Sequence, residues 1–127
     1  MSLPAGAKPA TFIATADRER AKAFYGGVLG LKQTHEDPFA VVYDAGHGIA
    51  LRVAGVKAHT PQPQTVLGWE VADIAAAARA LAAKGVIFQR YPGFEQDELG
   101  IWTAPGGAAK VAWFLDPDGN NLSLAQH

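Results

Sequence analysis

The feature that most constrains the fold is a repeat of pattern between the two halves of this 127-residue chain. In each half a short β-branched or aromatic run is followed by an aspartate and then by apolar residues at helical spacing. The aspartates are Asp17 and Asp73. An aspartate at this place is typical of a helix N-cap, because its carboxylate accepts the unpaired backbone N–H groups of the first turn. The repeat therefore favours two copies of one supersecondary unit.

Both halves predict the same order of elements, β-α-β-β-β. We expect helices over about residues 18–28 and 74–84, where apolar side chains recur on one face. Turns rich in glycine, proline and aspartate follow Asp44 and Leu115 and predict hairpins. The strands expected after the helices are Leu31–Glu36, Phe39–Asp44 and Gly48–Val53 in the first half, and Val86–Arg90, Lys110–Leu115 and Asn121–Ala125 in the second.

The composition excludes several classes of function. Twelve acidic and eleven basic side chains give a net charge of −1, so we expect neither nucleic acid nor a membrane surface as a partner. Without cysteine the chain has no disulfide, no thiolate metal site and no cysteine nucleophile. No apolar run approaches the roughly 20 residues that span a bilayer, and the first residues lack the apolar core of a secretion signal. We therefore expect a cytoplasmic protein.

Three motifs resemble those of the vicinal oxygen chelate superfamily, also called the glyoxalase/bleomycin resistance protein/dioxygenase superfamily. The motifs are Ala23-Phe24-Tyr25 with Val28-Leu29-Gly30-Leu31, Trp69-Glu70-Val71-Ala72-Asp73, and Asp116-Pro117-Asp118-Gly119-Asn120. The resemblance covers nearly the whole chain. It implies an α+β fold in which two tandem βαβββ modules form curved mixed sheets around a shared cavity, with the helices outside. It also implies a homodimer.

The resemblance implies that residues 1–127 form a single domain of this superfamily. Module one spans about residues 8–54 and module two about residues 65–127. The segment between them, about residues 55–64, contains Pro61 and Pro63 and is expected to be a linker.

Metal-binding members of the superfamily hold a divalent ion with one side chain from the first and one from the last strand of each module. The resemblance places three of these positions at Ala10, Val66 and Ser123, and superposing the turn at Asp44 on the turn at Asp116 places the fourth at Leu51. Three of the four lack a donor atom, and a neutral serine hydroxyl is a poor ligand for Zn²⁺, Ni²⁺ or Fe²⁺. We therefore expect no metal, no cofactor, and neither glyoxalase nor extradiol dioxygenase activity at the usual site.

Alternation of side chains along the strands predicts a mostly apolar cavity wall with a few polar groups, as in a pocket for an organic ligand. Glu70 is the only candidate catalytic residue, because burial there would make it a general base or an anchor for a cation. The second half contains a long loop over about Tyr91–Gly107, and its Tyr91 and Phe94 could add further flat surfaces. The residues expected to contact a ligand are Phe12, Leu51, Glu70, Trp102, Trp113, Asn121 and Ser123.

Several of these residues have a purely structural alternative. Trp113 could belong to the core, Trp102 could form a dimer contact, and Glu70 could be a half-exposed strand residue paired with Arg52 or Arg90. None of the four histidines shows the spacing of a metal site.

Three functions remain open. The favoured one is a metal-free protein that binds a small apolar or aromatic compound, of the sequestration or resistance type, because the usual metal positions are apolar. The second is a lyase, isomerase or dioxygenase that uses an unorthodox metal site or Glu70 as acid/base, so whether the chain is an enzyme stays open. The third is an interaction module whose cavity is filled by its own side chains.

Overall fold

The computed structural model describes residues 2–127, which form two compact units, one ending at His59 and the other beginning at Thr60. Each unit has the predicted order β-α-β-β-β. The first contains β1 (Ala10–Thr15), α1 (Arg18–Lys22) with a π-helical continuation (Ala23–Val28), β2 (Lys32–Glu36), β3 (Ala40–Asp44) and β4 (Ala50–Gly55). The second contains β5 (Thr65–Glu70), α2 (Ile74–Ala83), β6 (Trp102–Thr103), β7 (Lys110–Leu115) and β8 (Asn121–Gln126).

Both predicted helix starts are confirmed. The Asp17 carboxylate accepts a hydrogen bond from the Arg20 N–H at 3.1 Å, and the Asp73 carboxylate accepts one from the Ala76 N–H at 3.0 Å. Each cap satisfies a backbone donor that the first helical turn leaves unpaired. In the second half of the first helix the backbone is π-helical, a detail that apolar spacing does not reveal.

The sheet of the first unit has the strand order β1-β4-β3-β2, with β1 parallel to β4 and the other pairs antiparallel. One face of β1 and β4 is buried under the helix and carries Ile13, Leu51 and Val53. On the opposite face Phe12 is 67% exposed and lies beside Arg52.

The expectation that Leu51 shares a face with Phe12 is therefore wrong. It rested on superposing the turn at Asp44 on the turn at Asp116. In the structure Asp44 is still paired with Ala50 inside the ladder, whereas Asp116 lies beyond the ladder, in the turn. The aspartates are thus offset by one residue relative to the strands, and a shift of one residue moves a side chain to the other face.

The sheet of the second unit has the order β5-β8-β7-β6, with β5 parallel to β8. Its buried face carries Ala112, Phe114, Leu122 and Leu124 and packs under α2, which contributes the buried side chains of Ile74 and Ala78. On the opposite face Trp113 is the register partner of Ser123, and Ser123 is the partner of Gly68. The Ser123 hydroxyl occupies the space where a Cβ on Gly68 would lie, so glycine makes room for it.

The prediction of a strand over Val86–Arg90 is wrong. This segment forms one isolated bridge, between Phe88 and Phe114, and the fourth strand is instead the short β6. The Gln89 carbonyl accepts a hydrogen bond from the Gln96 side chain rather than from the backbone of a neighbouring strand. Among residues 2–127, no helix is both long enough and apolar enough to cross a bilayer.

Candidate ligand-binding cleft

The long loop between α2 and β6 is held by the side chain of Gln96. Its carbonyl oxygen accepts from the Tyr91 N–H at 2.8 Å, and its amide nitrogen donates to the carbonyls of Gln89 and Gly100, both at 2.8 Å. The half-buried glutamine therefore joins three parts of the segment 89–100. These bonds fix the backbone from which the loop aromatics project.

Two charged residues complete the loop. The Arg90 guanidinium donates to three successive carbonyls, those of Gln96, Asp97 and Glu98, at 3.3, 2.6 and 3.1 Å. The Asp97 carboxylate accepts from the N–H groups of Leu99 and Ile101, both at 2.9 Å. Hydrogen bonds within the loop thus fix its conformation. The hydrogen bonds of Arg90 and Asp97 correspond to no periodic pattern in the sequence.

Four aromatic side chains from this loop and from the sheet form one cluster. Phe94 stacks on Trp102 with ring centroids 5.2 Å apart and an interplanar angle of 23°. Tyr91 meets Trp113 edge to face at 5.4 Å, and Phe94 lies 5.7 Å from Trp113. These distances are typical of favourable aromatic pairs. The cluster brings together Trp102 and Trp113, both of which the sequence suggested, with Tyr91 and Phe94.

An open cleft of about 290 Å³ lies against this cluster. A second cleft of about 310 Å³ adjoins it and shares Pro63, Tyr91 and Asn121 with it. The first is lined by Pro63, Gln64, Thr65, Tyr91, Phe94, Trp113 and Asn121, and the second by Pro61, Gln62, Pro63, Tyr91, Leu115, Gly119 and Asn121. None of these lining residues is charged. The volume of each lies near the lower end of the roughly 300–1,000 Å³ common for small-molecule sites.

The polar centre of the cleft is Asn121, which is only 5% exposed. Its amide nitrogen donates to the Pro63 carbonyl at 3.1 Å and to the Tyr91 hydroxyl at 2.9 Å. Its amide oxygen accepts from the Thr65 hydroxyl at 3.0 Å. The side chain is therefore fully used in holding the wall of the cleft, and the roles of Pro63 and Thr65 had no signal in the sequence.

A larger cleft of about 640 Å³ lies on the other side of the loop. Its lining is mostly polar and includes Glu95, Gln96, Asp97 and Thr103 beside Phe94 and Ile101. It lacks the apolar walls that give an organic ligand most of its affinity. The smaller aromatic cleft is therefore the better candidate site.

The remaining expected site residues lie elsewhere. Leu51 is completely buried, and Phe12 is exposed in the first unit. Ser123 is half-buried beside Trp113 and lines neither of the two smaller clefts, those of about 290 and 310 Å³. The Glu70 side chain is 80% exposed and pairs with His127 at 3.3 Å.

The two arginines considered from the sequence as partners of Glu70 have contacts within their own units. Arg52 lies 3.6 Å from Asp37, and Arg90 donates to the loop carbonyls described above. The exposure of Glu70 shows that it is not the buried carboxylate that acid/base chemistry would favour.

The strand positions that hold a metal in relatives do not fit one here. Phe12 and Gly68 occupy equivalent places, each five residues before the aspartate that caps the helix. Phe12 pairs with Arg52, and Gly68 pairs with Ser123. Arg52, rather than Leu51, is therefore the counterpart of Ser123 in the first unit. An arginine is no better as a metal ligand than leucine. Within the described part of the chain, residues 2–127, no three His, Asp or Glu side chains lie close enough together to hold a metal ion.

The sequence matches the family model of the Glyoxalase/Bleomycin resistance protein/Dioxygenase superfamily over residues 9–124. The chain belongs to this superfamily. The family resemblance predicted from the three motifs is therefore confirmed, and so is the α+β fold of two four-stranded mixed sheets. No curated protein matches the chain.

Solved structures show the same fold at low sequence identity. A glyoxalase family protein from Bacillus anthracis is 15% identical with a TM-score of 0.75, covering 100% of this chain and 99% of its own. A superfamily member from Sphaerobacter thermophilus is 22% identical with a TM-score of 0.73, covering 96% and 98%. A lactoylglutathione lyase from Agrobacterium tumefaciens is 18% identical with a TM-score of 0.71, covering 97% and 95%. At these identities the likeness concerns the fold alone.

Proposed function

We propose that this chain binds a small aromatic compound in the cleft beside Tyr91, Phe94 and Trp113, without a metal ion, and holds it rather than converting it. Such a protein acts by sequestration, as in resistance to a toxic compound. The main support for the proposal is an open cleft that has aromatic walls and no charged lining residue. Within it lies Asn121, whose side-chain polar atoms are all hydrogen-bonded.

The physical basis is the contact that flat rings make with flat walls. Aromatic pairs contribute roughly 0.5–1.5 kcal/mol beyond the area that they bury. The cluster presents several rings whose positions are fixed by the loop hydrogen bonds, so little side-chain entropy is lost on binding. The uncharged lining adds no cost for burying an unpaired charge.

The alternative of an enzyme with Glu70 as acid/base has weaker support. The carboxylate is exposed to solvent, lies next to His127 and lines neither of the two smaller clefts. A metal-dependent lyase, isomerase or dioxygenase would need ligands at positions other than Ala10, Arg52, Val66 and Ser123. The metal-free binding function therefore remains the better supported of the two.

The test is a titration of the purified, ¹⁵N-labelled protein with neutral aromatic compounds such as naphthalene and indole. Binding is followed by the side-chain N–H signals of the protein's tryptophans in ¹H–¹⁵N NMR spectra. We expect saturable shifts that persist after treatment with a chelator. Trp113→Leu should weaken binding about tenfold, because it removes an aromatic wall. The matched control is Phe39→Leu, which changes an aromatic side chain that is 76% exposed in the first unit and should leave the affinity unchanged.

Three results would contradict the proposal. One is the absence of saturable binding for every compound tested. Another is binding that Trp113→Leu and Phe39→Leu weaken equally. The third is binding that requires an added divalent metal ion, which would favour the enzyme alternative.

A further inference from the structure

The amide of Asn121 can adopt only one orientation. The Pro63 carbonyl is an acceptor only, so the atom that faces it at 3.1 Å must be the amide nitrogen. The amide oxygen therefore faces the Thr65 hydroxyl, which must donate to it at 3.0 Å. The direction of every hydrogen bond around Asn121 follows from this single carbonyl.

The same direction extends to Tyr91. The second hydrogen of the Asn121 amide points at the Tyr91 hydroxyl oxygen, 2.9 Å away, so this oxygen accepts. The hydroxyl hydrogen must then point away from Asn121. Over residues 2–127 the hydroxyl donates no hydrogen bond to another group, and Tyr91 lines both clefts. Tyr91 therefore offers a hydrogen-bond donor to a molecule in the cleft.

The ring that carries this donor is held in place. Trp113 contacts it edge to face at 5.4 Å, and the backbone N–H of Tyr91 is bound by Gln96. A donor fixed in this way costs little entropy when it binds a ligand, and a ligand that lacks an acceptor leaves it unpaired.

The charge of the lining restricts the acceptor further. No lysine, arginine or histidine lines either cleft, and acidic side chains outnumber basic ones over residues 60–127. A carboxylate or phosphate would therefore be buried here without a cation to pair with. The acceptor that fits is uncharged.

We propose that the ligand is an uncharged, planar aromatic compound with a hydrogen-bond acceptor at its rim, a carbonyl oxygen or a ring nitrogen, and that the Tyr91 hydroxyl donates to this acceptor. The inference rests on the proposed aromatic-binding function and deepens it by giving the chemical class of the ligand and the residue that selects it.

Two probes that differ by one ring atom test this inference. Naphthalene has no acceptor, and quinoline is nearly the same shape with one ring nitrogen, uncharged at pH 8. We measure the dissociation constants of both by NMR titration for the wild-type protein and for Tyr91→Phe. One neutral hydrogen bond corresponds to about a fivefold change in affinity. Tyr91→Phe should weaken quinoline about fivefold and leave naphthalene unchanged.

Tyr43→Phe is the matched control, because it removes the same hydroxyl from a buried tyrosine of the first unit and should leave both probes unchanged.

The outcomes separate the two claims. Equal affinity of quinoline for the wild type and Tyr91→Phe, with both probes bound, overturns the inference and leaves the aromatic-binding function standing. Equal weakening of both probes by Tyr91→Phe also overturns it, because the tyrosine then acts only through packing. Failure of the wild-type protein to bind either probe counts against the proposed function itself.

Discussion

Replacing Gln96 by leucine tests whether this one side chain holds the wall of the aromatic cleft. Leucine is similar in size but makes none of the three hydrogen bonds to Tyr91, Gln89 and Gly100, each 2.8 Å long. A hydrogen bond contributes about 1 kcal/mol net, so the loss of three should lower the free energy of unfolding by about 3 kcal/mol. This is a large part of the roughly 5–15 kcal/mol that stabilises a typical domain.

Urea denaturation followed by tryptophan fluorescence measures this change in the second unit, since Trp69, Trp102 and Trp113 all lie there. Amide hydrogen exchange gives a local measurement at Tyr91, whose N–H should exchange on the order of 100-fold faster in Gln96→Leu, since each factor of ten corresponds to about 1.4 kcal/mol.

The matched control for this prediction is Gln89→Leu. Over the described residues the Gln89 side chain makes no hydrogen bond, although its backbone carbonyl accepts from Gln96. Gln89→Leu should therefore change the free energy of unfolding by less than about 0.5 kcal/mol. Equal effects of the two substitutions would refute the reasoning, because the side-chain hydrogen bonds of Gln96 would then contribute nothing measurable.

Two further predictions concern backbone space and pH. Gly100→Ala should destabilise the protein by at least about 1 kcal/mol more than Gly106→Ala, measured by thermal unfolding. Both glycines have a positive φ (88° and 87°), but a Cβ on Gly100 would lie 2.7 Å from the Cβ of Phe88, whereas one on Gly106 meets nothing within 4 Å; equal costs would disprove this. The hydrogen bond from Lys22 holds the pKa of Glu36 below its ordinary value of 4.5. The stability that Glu36 contributes is therefore present above about pH 4.5 and lost as the pH falls through the lowered pKa, and Glu36→Gln should weaken this acid-side decline; an unchanged decline would contradict it.

The parts of the fold that local chemistry determines could be predicted from the sequence. Asp17 and Asp73 cap the helices because the residue type suits the position whatever surrounds it. The strand Lys110–Leu115 has its predicted bounds, and the strand predicted over Asn121–Ala125 extends to Gln126, on either side of an aspartate-rich turn.

Two errors in the predicted fold arose where tertiary contacts decide the outcome. The segment 86–90 has the residues of a strand, but Gln96 takes the Gln89 carbonyl, and β7 pairs at its other end with Trp102–Thr103. The face of Leu51 depended on an alignment of two turns that differ by one residue in their ladder position. In neither case does a short window of sequence contain the deciding contact.

The sequence indicates which aromatic residues the candidate site contains, but it does not indicate how they are arranged. Tyr91, Phe94, Trp102 and Trp113 stand out in the sequence by type. Their convergence depends on the hydrogen bonds of Gln96, which follow no repeating pattern. The orientation of the donor on Tyr91 depends on the Asn121 amide and could only be read from the structure.

The central claim is that an aromatic molecule occupies the cleft beside Tyr91 and Trp113 and needs no metal ion to stay there. A crystal structure of the protein soaked with quinoline in the presence of a chelator tests it most directly. We expect electron density for a flat ring against Tyr91 and Trp113, with its nitrogen within hydrogen-bond distance of the Tyr91 hydroxyl. Density for the probe at another place only, or an empty cleft at saturating probe, would contradict the account.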